Sequence, residues 1–160
     1  MSILTVLTEL ATCLCGAISD DDGPNVCWCG VVPGSGGPPV DLVGEGKDGS
    51  CGVGYVQLGL AYPSDQVGVQ AVVPGSEPTG TGLDVNVGIL RTMDLDGEIP
   101  EEAVLLEALE RQVADIELIR KAILCCDAVS ARDMILGIYT PHGPDGGVVG
   151  GYWTVHIGIL

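Results

Sequence analysis

Apolar residues recur at helical spacing at the start of the chain. Ser2 can cap the first turn of this helix, and Gly16 can end it. The pattern therefore predicts a helix from Ser2 to Gly16 with one face packed inward. The leucines of that face are Leu4, Leu7, Leu10 and Leu14.

Later segments alternate between apolar and polar residues, as a strand with one buried face does. They cover Gly54–Pro63, Leu83–Met93 and Trp153–Ile159, and the short apolar run Val26–Val32 predicts a further strand. The Gly54 and Leu83 strands can pair antiparallel across a long loop from Ser64 to Gly82. The last strand must pair within the sheet or with a neighbouring subunit, because an unpaired edge exposes hydrogen-bonding groups.

A long helix is predicted from Pro100 to Cys126. Proline suits the first helical position, and Glu101 and Glu102 follow it where the helix dipole favours acids. The helix should lie across the sheet with an apolar stripe facing inward. The stripe comprises Ala103, Leu106, Leu109, Val113, Ile116, Ile119 or Arg120, and Ile123.

Segments rich in glycine and proline separate these elements. Pro33–Gly52 is predicted to be a loop outside the core, Met134–Tyr139 a short strand or turn, and Pro141–Gly151 a glycine-rich connection. The prediction is an α+β fold: a small, mainly antiparallel sheet with an amino-terminal helix and one long helix packed across it. Residues 1–160 are expected to form a single domain.

The chain is strongly acidic. Among 160 residues, 22 Asp and Glu face six Lys and Arg, which gives a formal net charge of −16. Such a charge repels nucleic-acid phosphates and anionic lipid headgroups, so direct binding to either is not expected. It suits a wall that DNA passes without sticking, although solubility is the simpler explanation. The opening segment lacks a basic start and contains Glu9, so it is read as a helix and not as a secretion signal.

Sequence motifs for catalysis are missing. The chain has no phosphate-binding loop, nucleophile elbow, metalloprotease His pair or dinucleotide fingerprint, so we expect neither an enzyme nor a cofactor. His142 lies in a predicted turn, and His156 is expected to face outward from the last strand. Asp20–Asp22 and Asp94–Glu98 do not continue into a calcium-binding loop, so turns and caps explain these acids better.

The cysteines lack the spacing of a zinc site. An odd number in a chain without a secretion signal argues against a secreted disulfide framework, so we expect reduced, buried thiols. One cross-link, such as Cys51 to Cys125 or Cys126, remains open for a particle that has left the cell. The cysteines are Cys13, Cys15, Cys27, Cys29, Cys51, Cys125 and Cys126.

Several segments resemble the head-to-tail and tail-completion proteins of long-tailed actinobacteriophages, and the order of elements resembles a tail terminator. The resemblance covers most of the chain and is best from Cys51 onward. It departs at Val148, where a cysteine is usual in the family, and near Met93, so it supports no disulfide there. The resembling segments are Cys51–Val56, Tyr62–Pro63, Val85–Arg91, Ala122–Cys126 and Gly143–Val155.

The resemblance implies a structural virion protein, assembled in the host cytoplasm. It would form a hexameric ring that caps the tail tube, halts its growth and joins the tail to the head connector, with DNA passing through the lumen. Its partners would be further copies of itself, the tail tube protein and the connector or stopper proteins, with no membrane involved. A stopper or connector of the neck is the alternative within this class, and a small cysteine-rich metal-binding protein is the alternative outside it. The candidate contact residues are Gln66, Glu77, Arg91, Tyr152, Trp153 and His156.

Overall fold

The computed structural model consists of a five-stranded sheet with helices packed on one face. The structure describes residues 2–21, 26–34, 37–43, 51–67, 77–93, 99–130 and 133–159, without the side chains of 128 and 130. The helices are α1 (Ile3–Ser19), α2 (Glu102–Leu124) and the single turn α3 (Asp127–Ser130), and a 3₁₀ turn covers Val40–Leu42. The strands are β1 (Val26–Val32), β2 (Gly52–Ser64), β3 (Gly80–Thr92), β4 (Met134–Asp145) and β5 (Val148–Ile159).

The strands follow the order β1-β2-β3-β5-β4 across the sheet. β1 pairs with β2 in parallel, and the other neighbours pair antiparallel, including β2 with β3 as predicted. The α+β prediction is confirmed. β5 lies between β3 and β4, so the carboxyl-terminal strand is paired on both sides within its own sheet.

The first helix begins as predicted and ends later. The Ser2 hydroxyl accepts a hydrogen bond from the Thr5 amide at 3.1 Å, and the helix continues past Gly16 to Ser19. Leu7, Leu10 and Leu14 are buried, but Leu4 is 65% exposed. Because Val6 and Ala11 complete the buried face, Leu4 lies to one side of it.

The predicted apolar stripe of α2 is wrong in its amino-terminal half. Leu106, Leu109 and Val113 are 51–53% exposed, whereas Ile119 and Ile123 are buried as predicted. The side of α2 turned toward the sheet carries polar groups instead, among them Arg111, Gln112 and Asp115. These groups contact partners on other elements and, together with Ile119 and Ile123, hold this side of the helix against the sheet.

Met134–Tyr139, predicted as a short strand or turn, and the predicted glycine-rich connection Pro141–Gly151 form most of a long β4–β5 hairpin. Its turn is Gly146–Gly147, with φ of 56° and 78°, and such positive values suit a tight hairpin turn. His142 therefore lies in β4, opposite Gly150, and not in the predicted turn. Glycines also serve inside the sheet. A Cβ on Gly88 would lie 2.8 Å from Tyr55 Cε1, so Gly88 makes room for that ring.

The sheet has apolar side chains on both faces. Leu83, Val85, Val87 and Ile89 of β3 pack toward α1 and α2 and form the main core. On the opposite face, here called the open face, a smaller cluster of Val53, Tyr55 and Leu90 packs with Val32, Val43, Val148 and Tyr152. Val43 belongs to the predicted loop outside the core, so this part of the loop does contact the sheet. Burial raises the pKa of Tyr55 above its ordinary value.

Six of the seven cysteines form disulfides, which corrects the prediction of reduced thiols. The pairs are Cys13–Cys126, Cys15–Cys29 and Cys27–Cys51, with Cα–Cα distances of 5.7, 5.7 and 5.3 Å. Cys125 is free and exposed. The suggested cross-link from Cys51 to Cys125 or Cys126 is also wrong. The fold decides the pairing, because α1 and β1 lie side by side and α1 reaches the end of α2.

Candidate functional site

The candidate contact residues do not gather into one patch. Tyr152 and His156 lie on the open face, whereas Trp153 faces the helices. Gln66 and Glu77 are exposed and flank the chain segment between β2 and β3. Just after β2, the Asp65 carboxylate accepts a hydrogen bond from the amide of Thr79, which lies just before β3, at 2.9 Å.

Arg91 lies inside the molecule, in an ion-pair network beneath α2. Its Nε and Nη2 donate to the two carboxylate oxygens of Asp115 at 2.6 and 2.9 Å, and Asp115 is 1% exposed. Arg111 lies 3.0 Å from the same carboxylate and 2.6 Å from Asp21. The network therefore joins β3, α2 and the end of α1, which is a structural role.

The charges in this network offset the effect of burial on Arg111. Burial by itself lowers the pKa of this guanidinium, but the attraction of Asp115 and Asp21 outweighs it, so the pKa is raised. Arg111 stays charged.

Of the predicted acidic turns, Asp20 caps the end of α1 and Asp21 belongs to the network, while Asp22 and Asp94–Glu98 lie outside the described residues.

Trp153 anchors α2 to the sheet. Its indole Nε1 donates to the Ile116 carbonyl oxygen at 3.0 Å, and its ring meets Tyr139 edge-on with centroids 5.8 Å apart. Burial is the main cause that raises the pKa of Tyr139 to about 12. The side chain of Trp153 is thus committed to the interior contact between helix and sheet.

A second polar cluster lies on the open face. Asp84 Oδ1 accepts a hydrogen bond from the Tyr62 hydroxyl at 3.0 Å and lies 2.7 Å from Nδ1 of His156. His156 was expected to face outward, and its side chain is 27% exposed. Sequence alternation places Asp84 and His156 each on a strand face. Only the β3–β5 register, which puts them opposite each other, shows that they meet.

The Asp84–His156 pair has two of the groups that an acid–base catalytic site uses. A carboxylate that holds one imidazole nitrogen orients the ring, as in many catalytic His–Asp pairs. Such a pair needs a reacting group at the other nitrogen. That second nitrogen is Nε2. A Cβ added to Gly137 would lie 3.0 Å from it, so the backbone of β4 covers Nε2 of His156. Within the part of the chain that the structure describes, no group of three or more His, Cys, Asp and Glu residues is placed to hold a metal ion.

The pKa of the Tyr62 hydroxyl depends on its contact with Asp84 in this cluster. Burial first, and then the hydrogen bond and charge of Asp84, raise the pKa of Tyr62 to about 12. We expect Asp84→Asn to lower the pKa of Tyr62, because the carboxylate no longer opposes a tyrosinate, while burial still keeps it above its ordinary value. Ultraviolet absorbance during an alkaline titration measures this, with Tyr62→Phe to assign the signal.

The exposed Asp145, at the end of β4, offers the matched control. Asp145→Asn removes the same charge and should leave the titration of Tyr62 unchanged. An unaltered titration in Asp84→Asn would show that Asp84 does not hold the phenol. For the wild type, stability linked to Tyr62 should be constant below pH 10 and fall as the pH approaches 12, because the unfolded state loses its phenol proton first.

These features define an α+β protein with a mixed five-stranded sheet, in which the prominent ion pairs and cysteine pairs connect its elements. No protein-family model matches the chain, and no curated protein matches it significantly. Among the described residues, no helix is long and apolar enough to cross a membrane.

Proposed function

We propose that this protein is a structural subunit of a phage particle. It would form a ring at the head-proximal end of a long tail, end the growth of the tail tube and join the tail to the head connector. Besides the resemblance itself, the pairing of strands in the sheet supports this role. Segments that resemble the family and lie far apart in the sequence are neighbours in the sheet: Val53 pairs with Leu90, and Leu90 pairs with Gly150.

The same neighbourhood includes aromatic residues. Tyr55 pairs with Gly88, and Gly88 pairs with Tyr152, so the Cys51–Val56, Val85–Arg91 and Gly143–Val155 segments meet across three strands. Resembling residues that contact one another support a shared fold more strongly than scattered ones would. They support the structural role and not a catalytic one, because they are mostly glycine, aliphatic and aromatic residues of the sheet.

An edge of the sheet fits self-assembly. β4 is the last strand in the order, and it exposes Ile135 at 50% and Ile138 at 73%. Apolar side chains on an edge strand favour pairing with another chain, and proteins that stay single usually place charges there. The net charge of −16 fits a lumen that DNA traverses without binding.

The mass of the purified protein in solution, measured by light scattering and followed by electron microscopy, tests the ring. We expect a closed ring with an opening that admits duplex DNA, and we expect Ile138→Lys to prevent its assembly by placing a charge on the β4 edge. Ile99→Lys is the matched control, since Ile99 is 94% exposed and precedes α2 instead of lying on an edge strand.

Intact particles decide the location. Antibody labelling at the tail side of the head–tail junction would support the terminator role, and labelling at the head side would favour a neck stopper or connector. A protein that stays a monomer and is missing from purified particles would overturn the proposal. Circular dichroism of each variant separates failure to assemble from failure to fold.

A further inference from the structure

The outward side of α2 carries an apolar stripe that the sheet does not cover. Leu106, Leu109 and Val113 are about half exposed, and Leu105 beside them is 39% exposed. Single exposed apolar residues are ordinary on protein surfaces, but a continuous stripe on one helix marks an interaction site.

The spacing of the stripe matches the seam of a coiled coil. Leu106, Leu109, Val113 and Ile116 are separated by three, four and three residues, which is the alternation of the a and d positions of a heptad. Ile116 is half-buried at the end of the stripe. At 1.5 Å per residue the seam is about 15 Å long, or about three helical turns, along which a second helix can pack.

The charges beside the stripe select the partner. If Leu106 and Val113 are a positions, Glu110 and Glu117 occupy the e positions, where coiled coils place the charges that choose a partner. Glu117 also pairs with Arg120, so Glu110 is the more available of the two. Glu101, Glu102 and Glu107 are exposed nearby. Arg111, the first base of α2, is already bound to Asp21 and Asp115.

We infer that the outward face of α2 binds a helix of a partner protein that carries an apolar heptad seam flanked by lysine or arginine. A second copy of this chain is a poor occupant of this face, because it would bring the same glutamates against Glu110. Nucleic acid and anionic lipid are repelled for the same reason. The inference does not depend on the proposed ring, because the stripe lies on α2 and not on the sheet edge.

Two synthetic helices of about three heptads serve as probes, with leucine at a and d and either lysine or glutamate at e and g. Calorimetry should show binding of the lysine probe and at least about tenfold weaker binding of the glutamate probe. Replacing Leu106, Leu109 and Val113 together with glutamine should weaken binding of the lysine probe by at least about tenfold at unchanged net charge. Glutamine keeps helix propensity, so the fold is retained.

Leu4→Gln is the matched control, because Leu4 is 65% exposed on α1, away from the stripe. It should leave binding unchanged. Glu110→Lys should shift preference toward the glutamate probe, which a general attraction between opposite net charges would not do. Equal binding of both probes, or full binding by the triple glutamine variant, would overturn the inference. So would a wild-type dimer that the triple variant converts to monomers, since a second copy would then cover the face.

Discussion

Asp115→Ala should lower the free energy of unfolding by about 3–5 kcal/mol, the largest effect we expect from a single substitution. The carboxylate is 1% exposed and accepts hydrogen bonds from both Arg91 and Arg111. Its removal takes away the carboxylate on α2 that pairs with the buried Arg91 guanidinium, and the cost of burying that charge is then offset less well. Urea denaturation followed by circular dichroism measures the change.

An exposed ion pair on the same helix provides the control. Glu117 and Arg120 lie 3.1 Å apart, with side chains 65% and 46% exposed. Glu117→Ala should change the free energy of unfolding by no more than about 0.5 kcal/mol, because solvent screens such pairs. If Asp115→Ala were equally mild, the network would not hold α2 on the sheet, and the rotation of α2 would need another cause.

Removing the Cys13–Cys126 disulfide is expected to have the second large effect. The bond links residues 113 positions apart, so it restricts the unfolded chain strongly, and we expect Cys13→Ala with Cys126→Ala to cost about 2–5 kcal/mol. Thermal unfolding of the oxidised proteins measures this. In a thiol assay after unfolding, the oxidised wild type should show one reactive thiol per chain, that of Cys125.

Cys125→Ala is the matched control for this substitution. Cys125 is adjacent to Cys126 but exposed and unpaired, so its replacement should change stability by less than about 0.5 kcal/mol. Wild-type protein treated with a reductant should lose at least as much stability as the double variant, since all three bonds are then open. A wild type with seven reactive thiols would restore the sequence-based prediction of reduced cysteines.

Local patterns predicted the elements where one physical requirement dominated. The cap at Ser2, the alternation in β3 and the carboxyl half of α2 were correct, because helix capping and burial of one face act over a few neighbouring residues. The strand from Trp153 was also correct, but the rest of the β4–β5 hairpin was missed. Its glycines suggested a loop, but at Gly88 and Gly150 a glycine lets neighbouring strands and rings approach closely, which depends on pairing.

The polar contacts could not be predicted in the same way. Arg91 and Asp115 are 24 residues apart, and Asp84 and His156 are 72 apart. No local rule relates such residues, because their distance depends on strand order and on the rotation of a helix. The disulfide pairing failed for the same reason, as seven cysteines allow many pairings that spacing alone does not separate.

The sequence by itself determined the α+β class, the two helices, the antiparallel pairing of β2 with β3 and the acidic charge, since these follow from short-range periodicity and composition. Tertiary structure alone decided which side of α2 is buried, which cysteines pair and which polar groups meet. The physical reason is that the sequence pattern shows which residues are apolar but not which side of α2 meets the sheet, and that side is set by contacts of Asp115, Ile119 and Ile123 with distant residues. Because the Asp115 side of α2 faces Arg91, Leu106 and Leu109 lie at the surface.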